Sequence, residues 1–372
     1  MKPLSLFRKS KPLKAVTIFF LVNRFQVFFL LLVFPEYMAS PHLIWLIIVL
    51  GLLSQGNLFI LSKWLSTTYA AKGYLGFVDL FGEWKLRLFT AIALVPVLVK
   101  VSFLTINYVA VTRQYIFPSI SPVWLIVVFL LISMYVAIKG MENTIRFSII
   151  TFFIVIWMIL MFLPFFFPPN AAWFNLLPLT STLSHQSWKG IMFIWASLSG
   201  PEYLICLVPW LKQDKKVGRY LTWANILTIG ELLIVLITSL LFFGQNYLKL
   251  IKLPYIEMTR YLQSPVFERI DMVVISFYLF HFVFMIAILL LFFYGGVRII
   301  FNKTNTKTTR KGFFLSTLLI AALILFLYQI LWTYENQFKV FMNIDIWVSG
   351  FTYLFIPSFL VIYSKIKGGS RR

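Results

Sequence analysis

The chain has 372 residues, of which 60% are hydrophobic and 12% are charged, and its formal net charge is +21. A soluble globular domain carries about 25% charged residues, so this composition excludes a soluble enzyme and indicates an integral membrane protein. A strongly basic chain can also indicate a nucleic-acid-binding protein, and the distribution of the charges along the chain decides between these two interpretations.

Ten apolar stretches fill nearly the whole chain, and each is about as long as the roughly 20 residues that a helix needs to cross a bilayer. Long apolar runs predict helices rather than barrel strands, because a helix satisfies its own backbone hydrogen bonds within lipid. No connection is much longer than about 25 residues, which is too short for a folded domain outside the membrane. We therefore predict an all-α integral membrane protein in which residues 1–372 form a single transmembrane domain. The stretches lie near 14–34, 42–62, 88–112, 122–140, 146–167, 189–210, 219–244, 271–297, 312–334 and 345–366.

The first stretch is interrupted by the polar run Asn23-Arg24-Phe25-Gln26. Its basic start resembles a signal peptide, but the polar run interrupts the apolar region and no small-residue cleavage site follows before Pro35. We therefore predict a retained first helix that is broken at the polar run.

Three connections are long enough to describe. Residues 66–87 mix apolar side chains with charges and suit a helix that lies on the cytoplasmic face of the membrane. Residues 302–311 are polar and cationic, as in a solvated loop. Residues 245–270 form the longest connection, and we expect a short helix there around Ile256–Leu262.

The sixth stretch contains the run Ser197-Leu198-Ser199-Gly200-Pro201-Glu202. Proline removes a backbone donor and clashes with the preceding turn, and glycine gives the helix no support. We predict a broken helix here, whose unpaired backbone groups must face protein, water or a ligand. An ordinary proline kink is the alternative, and the two serines and the carboxylate favour the break.

Ten spans divide into two sets of five, residues 14–167 and 189–366, so that the first and sixth spans occupy matching positions. Paired broken helices in inverted repeats mark the substrate site of many secondary transporters. We therefore predict a five-plus-five inverted repeat of the LeuT-like type, with helices 1 and 6 broken in mid-membrane.

The positive charges are distributed unequally between the two sides of the membrane. If the N-terminus is cytoplasmic, ten spans return the C-terminus to the same side, and that side carries 24 of the 33 Lys and Arg residues against seven on the other side. This bias follows the positive-inside rule and predicts that both termini are cytoplasmic. The basic surplus then reflects orientation and attraction to the lipid bilayer, and we predict no nucleic-acid partner.

Five titratable residues fall within the predicted spans: Arg24, Lys100, Glu202, Glu231 and His281. At a rise of about 1.5 Å per residue, all five lie in one slab near the membrane centre. A charged side chain left facing lipid there costs about 2.5–3.5 kcal/mol, so we expect two cations and two anions to neutralise one another inside the bundle. Such a set can bind a zwitterion, relay protons or only fix the packing of helices, and the sequence leaves these alternatives open.

Enzymatic motifs do not occur in the sequence, which has no phosphate-binding glycine loop, no His-Glu zinc pair and no nucleophile–base spacing. Cys206 is the only cysteine, and His42, His185 and His281 are far apart in the sequence. We therefore predict no enzymatic activity, no cofactor and no metal site.

A set of short motifs runs through the chain from residue 175 onward. The motifs are Asn175-Leu176-Leu177-Pro178, Gly200-Pro201-Glu202-Tyr203-Leu204, Pro209, the basic loop Lys212–Arg219, Phe243-Gly244, Pro254 and Phe267-Glu268-Arg269-Ile270-Asp271. Together they resemble the endospore germination permease family, the B subunits of spore-germination nutrient receptors within the amino acid–polyamine–cation transporter superfamily. With its length and ten spans, the resemblance covers essentially the whole chain.

The resemblance implies a nutrient sensor in the inner membrane of dormant spores. Such a subunit binds a small-molecule germinant, often an amino acid, at the membrane midplane. It acts beside an A-type membrane subunit and a C-type lipoprotein, and ligand binding triggers the release of cations and dipicolinate. Net transport by this subunit is not implied.

We expect the ligand to bind between spans one, three, six and eight. Backbone and hydroxyl groups at the break would contact the ligand, Glu202 and Lys100 would supply charge, and Phe28 and Tyr278 would form walls. The predicted ligand-binding residues are Gln26, Val27, Phe28, Lys100, Leu104, Ser197, Ser199, Gly200, Pro201, Glu202, Tyr278 and His281. The predicted buried charge network is Arg24, Lys100, Glu202 and Glu231.

The first span departs from the family pattern, because the resemblance implies a glycine near the break. Here Gln26 is followed by Val27 and Phe28, and the bulky Phe28 would crowd the place where an amino acid carboxylate docks. This departure favours a different germinant or a degenerate subunit. Two other functions also stay open: a proton-coupled amino acid transporter in which Glu202 or Glu231 carries the proton, and a membrane scaffold without a ligand.

Overall fold

In a computed structural model, the described part of the chain is folded almost entirely into helices. The structure describes residues 6–7, 12–179, 185–212, 216–262, 268–304, 306–333 and 335–369. Within its helices, the side chains of residues 27–32, 185–187, 332–333, 335–337 and 368–369 lie outside the described part.

Fourteen α-helices run through the described residues, joined in places by short 3-10 segments. The α-helices are α1 Thr17–Leu32, α2 Leu43–Leu65, α3 Thr68–Ala71, α4 Tyr74–Phe81, α5 Glu83–Tyr115, α6 Pro122–Ile138, α7 Met141–Ile156, α8 His185–Ser197, α9 Leu204–Leu207, α10 Val217–Leu248, α11 Pro254–Tyr261, α12 Ile270–Ile300, α13 Arg310–Thr333 and α14 Glu335–Gly369. The 3-10 segments are Glu36–Met38, Trp157–Phe166, Trp173–Leu176, Pro201–Tyr203 and Val208–Trp210.

Eight helical segments in the described part of the chain are long and apolar enough to cross a membrane. They are Leu43–Leu65, Glu83–Tyr115, Met141–Phe166, Trp188–Trp210, Val217–Leu248, Ile270–Ile300, Arg310–Leu331 and Phe338–Lys367. The apolar helices α1, with 16 residues, and α6, with 17 residues, are shorter than the roughly 20 residues of a full span. The protein is therefore an all-helical integral membrane protein with eight candidate spans, and the count of ten remains a prediction.

The predicted break in the first span is wrong, because α1 is helical from Thr17 to Leu32 and runs through residues 23–26. The polar run contains no glycine or proline that would force a break, and its side chains bond to other helices instead of to the backbone of α1. The helix ends at Leu32, and the next residue, Val33, has extended backbone angles (φ −147°, ψ 128°). Pro35 follows closely, and a proline biases the residue before it away from helical backbone.

Residues 66–87 do not form the single interfacial helix that the sequence suggested. They form α3, which begins where the Thr67 hydroxyl accepts a hydrogen bond from the Ala70 N–H (3.2 Å), and α4. Gly82, with φ 81°, separates α4 from α5, and residues from Glu83 onward already belong to the long third-span helix. The short helix expected around Ile256–Leu262 is confirmed as α11.

The central helix of the bundle is α12, which packs against α5, α6 and α7. α10 packs against α1 and α2, and α14 packs against α2, α5 and α8. α1 also contacts α7, α8 and α12, so the polar run of α1 lies where the first, sixth, seventh and eighth predicted spans come together.

The segment before α1 joins the ends of several helices on one side of the bundle. The Leu13 N–H donates to the Trp210 carbonyl (2.8 Å), and the Lys212 N–H donates to the Leu13 carbonyl (2.9 Å). Further back, the Met141 N–H donates to the Leu6 carbonyl (2.8 Å). The start of α1 is therefore fixed to the end of the sixth span and to the start of α7.

Candidate functional site

The sixth span, Trp188–Trp210, is broken at the predicted position. α8 ends at Ser197, and the chain continues through the 3-10 turn Pro201–Tyr203 and the short helix α9. Gly200 has φ 120°, a region that residues with a side chain rarely adopt, and Pro201 has no N–H to donate to a helix. These two residues together end α8 in the middle of a span.

α1 packs directly against this break. A β-carbon at Gly200 would lie 2.6 Å from the Cβ of Phe25 and 3.0 Å from its carbonyl oxygen, so only glycine lets the two backbones approach this closely. One residue further along α1, Nε2 of Gln26 donates to the Leu198 carbonyl oxygen at 2.8 Å. The structure thus brings two of the predicted site residues, Gln26 and Gly200, to the same place.

Three polar side chains at the break form hydrogen bonds with nearby backbone groups of the sixth span. Oε2 of Glu202 accepts the Gly200 N–H at 2.6 Å, and the Glu202 side chain is buried. The Ser197 hydroxyl donates to the Phe193 carbonyl at 2.8 Å, and the Ser199 hydroxyl donates to the Ala196 carbonyl at 2.6 Å. Each serine therefore uses its one proton within α8, and only its oxygen lone pairs stay available to a ligand.

A buried ion pair joins α1 to α10. Nη2 of Arg24 lies 3.1 Å from Oε1 of Glu231, and neither side chain is exposed. Nδ2 of Asn23 donates to Oε2 of Glu231 at 2.8 Å, and Nε of Arg24 donates to Oδ1 of Asn23 at 3.0 Å. The Arg24 guanidinium also lies 5.2 Å from the centre of the Phe152 ring on α7. A buried charge persists only with such partners, so this group of side chains fixes α1 against α10.

A second buried ion pair joins α5 to α14. Nζ of Lys100 lies 3.3 Å from Oδ2 of Asp345 and 3.2 Å from the Ser349 hydroxyl, and both charged side chains are buried. Lys100 also acts electrostatically on Glu202. Lys100 therefore forms an ion pair with Asp345 on α14 and also acts on the charge of Glu202.

The expected balance of two cations and two anions in the membrane centre is wrong, because Asp345 is a third buried carboxylate. The sequence placed Asp345 at the very start of the tenth stretch, but α14 begins at Glu335, so Asp345 lies well inside the helix. One signal was available: Asp345 and Ser349 are four residues apart and so lie on one face of a helix.

Two predicted residues on α12 contact α1 and α11. Nε2 of His281 lies 2.6 Å from the Arg24 carbonyl oxygen, and since a carbonyl only accepts, the His281 ring donates this bond. The hydroxyl of Tyr278 lies 2.7 Å from the hydroxyl of Tyr255 on α11. α12 thus holds the backbone of α1 at the residue whose side chain forms the Glu231 pair.

α11 covers the end of the bundle away from the N-terminal segment, called here the outer end. The side chains of Tyr255, Ile256 and Met258, which belong to α11, are buried. The Tyr255 ring packs on Phe162 with 4.6 Å between ring centres. The Tyr115 hydroxyl, at the end of α5, donates to Oε1 of Glu257 at 2.6 Å. These contacts close the outer end above the Arg24–Glu231 pair.

The Glu268–Asp271 motif forms a clasp beside α11. Nη2 of Arg269 donates to Oδ2 of the buried Asp271 at 2.7 Å and to the Tyr115 carbonyl at 2.9 Å. The hydrogen bond to Asp271 raises the pKa of the exposed Arg269 guanidinium. Arg260 on α11 extends the clasp, with its Nε 4.0 Å from Oδ2 of Asp271. The motif therefore links the outer ends of α5, α11 and α12.

The remaining predicted residues are less informative. Leu104 is buried on α5, and Pro201 begins the 3-10 turn after the break. Val27 and Phe28 belong to α1, but the structure does not describe their side chains. Whether Phe28 crowds a ligand is therefore still a prediction.

The site as a whole is a helix break flanked by buried charges. In a low-dielectric interior such charges act strongly on a proton or on a charged ligand. α1 contacts α8 and α12, and α14 contacts α8 and the 3-10 turn that follows the break.

Comparison with known proteins gives consistent results. The family described as spore germination protein matches residues 12–339. Over 177 residues, 47% of this chain and 48% of the relative, the chain is 31% identical to the spore germination protein GerQB of Bacillus cereus, so the match spans about half the length of that relative. A solved structure of a substrate-bound, outward-open, Na⁺-coupled sialic acid symporter superposes with a TM-score of 0.54 over 98% of this chain and 91% of that chain, at 14% identity. At that identity the likeness shows the fold alone.

Proposed function

Because the chain belongs to the spore germination protein family, we propose that it is the germinant-sensing subunit of a germination receptor in the spore inner membrane. The chain is an integral membrane protein with a transporter-like fold. We propose further that this subunit binds an amino acid or another small nutrient at the membrane midplane. It then signals binding to an A-type membrane subunit and a C-type lipoprotein.

The observation that carries this proposal is the break of the sixth span against α1. Backbone groups released from a helix within the membrane are tolerated only where they line a cavity or face protein, and transporters of related architecture bind solutes at such breaks. In this chain the break is buried and surrounded by Gln26, Lys100 and Glu202. We place the ligand there, between α1, α5, the break and α12.

The proposed architecture has ten spans in a five-plus-five inverted repeat. α1 and α6 then complete the eight candidate spans, and both termini are cytoplasmic. The 24-to-seven bias of Lys and Arg supports this orientation. The two repeats differ in one respect, since the helix of the sixth span is broken and α1 is continuous.

Signalling then follows from a shift between two packings of the break. A ligand that binds one packing better than the other raises its population, and the helices fixed to the break carry the change to the membrane surface. α1 is one such helix, because Phe25 and Gln26 hold it to the break and Leu13 holds its start to the end of the same span.

A second candidate function is proton-coupled transport of an amino acid. The likeness to a symporter fold and the buried carboxylates Glu202 and Glu231 favour this alternative. In that case one of these carboxylates carries the proton during each cycle. The two functions differ in whether the ligand crosses the membrane.

Two measurements on the full chain separate these functions. Spores that lack the chain should fail to release dipicolinate with at least one amino acid, sugar or nucleoside that triggers the parent spores. Proteoliposomes containing the purified chain should show no uptake of the same labelled nutrient. Uptake that collapses on addition of an uncoupler would support the transporter, and unchanged germination with every nutrient tested would contradict the receptor.

A further inference from the structure

The buried charges near the centre of the membrane do not cancel. Among the described residues there, the cations are Arg24 and Lys100, whereas the carboxylates are Glu231, Asp345 and Glu202. His281 is buried next to Arg24 and is counted as neutral, because a second buried cation there would have no counter-charge. Arg24 pairs with Glu231 and Lys100 pairs with Asp345. The other buried carboxylate in the described part, that of Asp271, pairs with Arg269 at the outer end. Glu202 is thus left as one negative charge in excess, beside the break.

The groups that face Glu202 do not remove this charge. Its Oε2 accepts the Gly200 N–H at 2.6 Å, and a neutral N–H donor stabilises a carboxylate but leaves its charge in place. Lys100 on α5 and Asp345 on α14 also act here, together with the tyrosines Tyr203 and Tyr353. Lys100 already forms an ion pair with Asp345, and neither tyrosine carries a positive charge. A buried charge without a counter-charge is strongly disfavoured, so this site requires one further positive charge.

An unpartnered acceptor lies at the same break. The Gln26 side chain is fully buried, and its Oε1 has no hydrogen-bond partner among the described residues. The Leu198 carbonyl can only accept, so the amide nitrogen of Gln26 must face it. The amide oxygen is thereby directed elsewhere and lacks a donor. An acceptor in this state costs about 1–3 kcal/mol, and a hydrogen-bond donor on a ligand would remove that cost.

We propose that one positive charge always neutralises Glu202 at the break. In the empty site that charge is a proton bound to the Glu202 carboxylate, and in the occupied site it is the protonated amine of the ligand. This inference rests on the proposed function and narrows it to ligands that carry a primary or secondary amine. A primary ammonium group has three N–H donors and a secondary one has two. The acceptors at the break are the Glu202 carboxylate, the Gln26 amide oxygen and the hydroxyl oxygens of the two serines.

The exchange is balanced in charge and atoms. The ligand enters as R–NH₃⁺, the Glu202 carboxylic acid releases its proton to solvent, and the resulting carboxylate pairs with the ammonium group. Within this exchange one positive charge, that of the ammonium group, enters and one, that of the proton, leaves. An amino acid also brings its own carboxylate, whose charge this exchange does not compensate. A neutral sugar has no ammonium group and cannot make this exchange. A 2-hydroxy acid brings the same carboxylate as the matching amino acid but no ammonium group, so it cannot make the exchange either.

The test uses the purified full chain with L-alanine and L-lactate as probes, because they differ in an amine and a hydroxyl at the same carbon. We expect L-alanine to bind at least about tenfold more tightly than L-lactate, which is the scale of a hydrogen bond to a charged group. Binding of L-alanine in weakly buffered solution should release one proton per site. Glu202→Gln should abolish both the preference and the release, whereas Glu83→Gln, at an exposed ion pair, should change neither.

Infrared spectroscopy tests the empty site independently of any ligand. The carboxylic acid C=O band of the wild-type chain should be larger than that of Glu202→Gln and should shrink when L-alanine is added. Identical bands in the two proteins would overturn the inference, as would equal affinity for L-alanine and L-lactate. Binding of glucose or L-lactate in preference to L-alanine would overturn the inference and leave the sensing function standing. If no amino acid, sugar or nucleoside binds at all, the proposed function fails, and the infrared comparison still decides the protonation of Glu202.

Discussion

Phe25 on α1 and Gly200 at the break of the sixth span are in backbone contact, such that a β-carbon at Gly200 would lie 2.6 Å from the Cβ of Phe25. Gly200 also has φ 120°. The close contact and the backbone angle both require a residue without a side chain, so only glycine fits at position 200 without strain.

Gly200→Ala should destabilise the purified protein by about 1–3 kcal/mol, because a residue with a side chain is strained at this backbone angle and also collides with α1. The measurement is thermal unfolding in detergent followed by tryptophan fluorescence. Gly56→Ala on α2 is the matched control, since nothing lies within 4 Å of a β-carbon there. Equal unfolding temperatures for the two variants would contradict the close contact.

Removing either charge of the Arg24–Glu231 pair should lower the free energy of unfolding. Arg24→Gln and Glu231→Gln should each destabilise the protein by about 3–5 kcal/mol, because each leaves an uncompensated buried charge. The double variant should be less unstable than the sum of the two. The exposed pair Lys72–Asp79, with an N···O distance of 2.7 Å, is the control and should contribute no more than about 1 kcal/mol. A double-mutant cycle in detergent-induced unfolding measures both pairs, and additive single effects at Arg24 and Glu231 would contradict the buried pair.

Asp271→Asn should loosen α11 at the outer end, because it removes the charge that holds Arg269 and Arg260. The measurement is the labelling rate of a cysteine introduced by Ser239→Cys, whose parent hydroxyl lies 3.5 Å from the Met258 sulfur under α11. The background is Cys206→Ser, which removes the exposed native thiol. An impermeant thiol reagent added from outside should react several-fold faster in Asp271→Asn than in the Asp79→Asn control. Equal rates would show that the clasp does not hold α11 closed.

Both termini should lie in the cytoplasm. A C-terminal fusion to a reporter that fluoresces only in the cytoplasm should be bright, whereas a fusion to alkaline phosphatase, which is active only outside, should be inactive. A fusion after Leu250, in the connection between α10 and α11, is the control and should give the reverse pattern. An active C-terminal phosphatase fusion would mean that the number of spans is odd or that the orientation is inverted.

The helices and the break in the sixth span could be predicted from the sequence because their causes are local. An apolar run of about 20 residues has few alternatives to a helix in lipid, and the Gly200-Pro201 pair stops a helix wherever it occurs. The sequence wrongly predicted a break in α1, because what keeps α1 continuous is not local. Asn23, Arg24 and Gln26 looked like an interruption, but their bonding partners are Glu231 and Leu198 on other spans.

The partners of the buried charges could not be predicted from the sequence. Lys100 and Asp345 are 245 residues apart, and their pairing depends on which faces of α5 and α14 meet. The partner of His281 could not be predicted either, because the His281 ring contacts a backbone carbonyl, that of Arg24, rather than a side chain. Without Asp345 the central charges seemed to balance, and the excess at Glu202 appears only once the pairs are known.

The most direct test of a ligand site at the break is dipicolinate release from spores whose chain carries Glu202→Gln. Glu83→Gln, at an exposed ion pair, is the control, and both proteins must be present at the parental level. With a nutrient mixture that triggers the parent spores, we expect the Glu202→Gln spores to lose release through this receptor and the Glu83→Gln spores to respond like the parent. Normal release from Glu202→Gln spores would contradict a ligand site at the break.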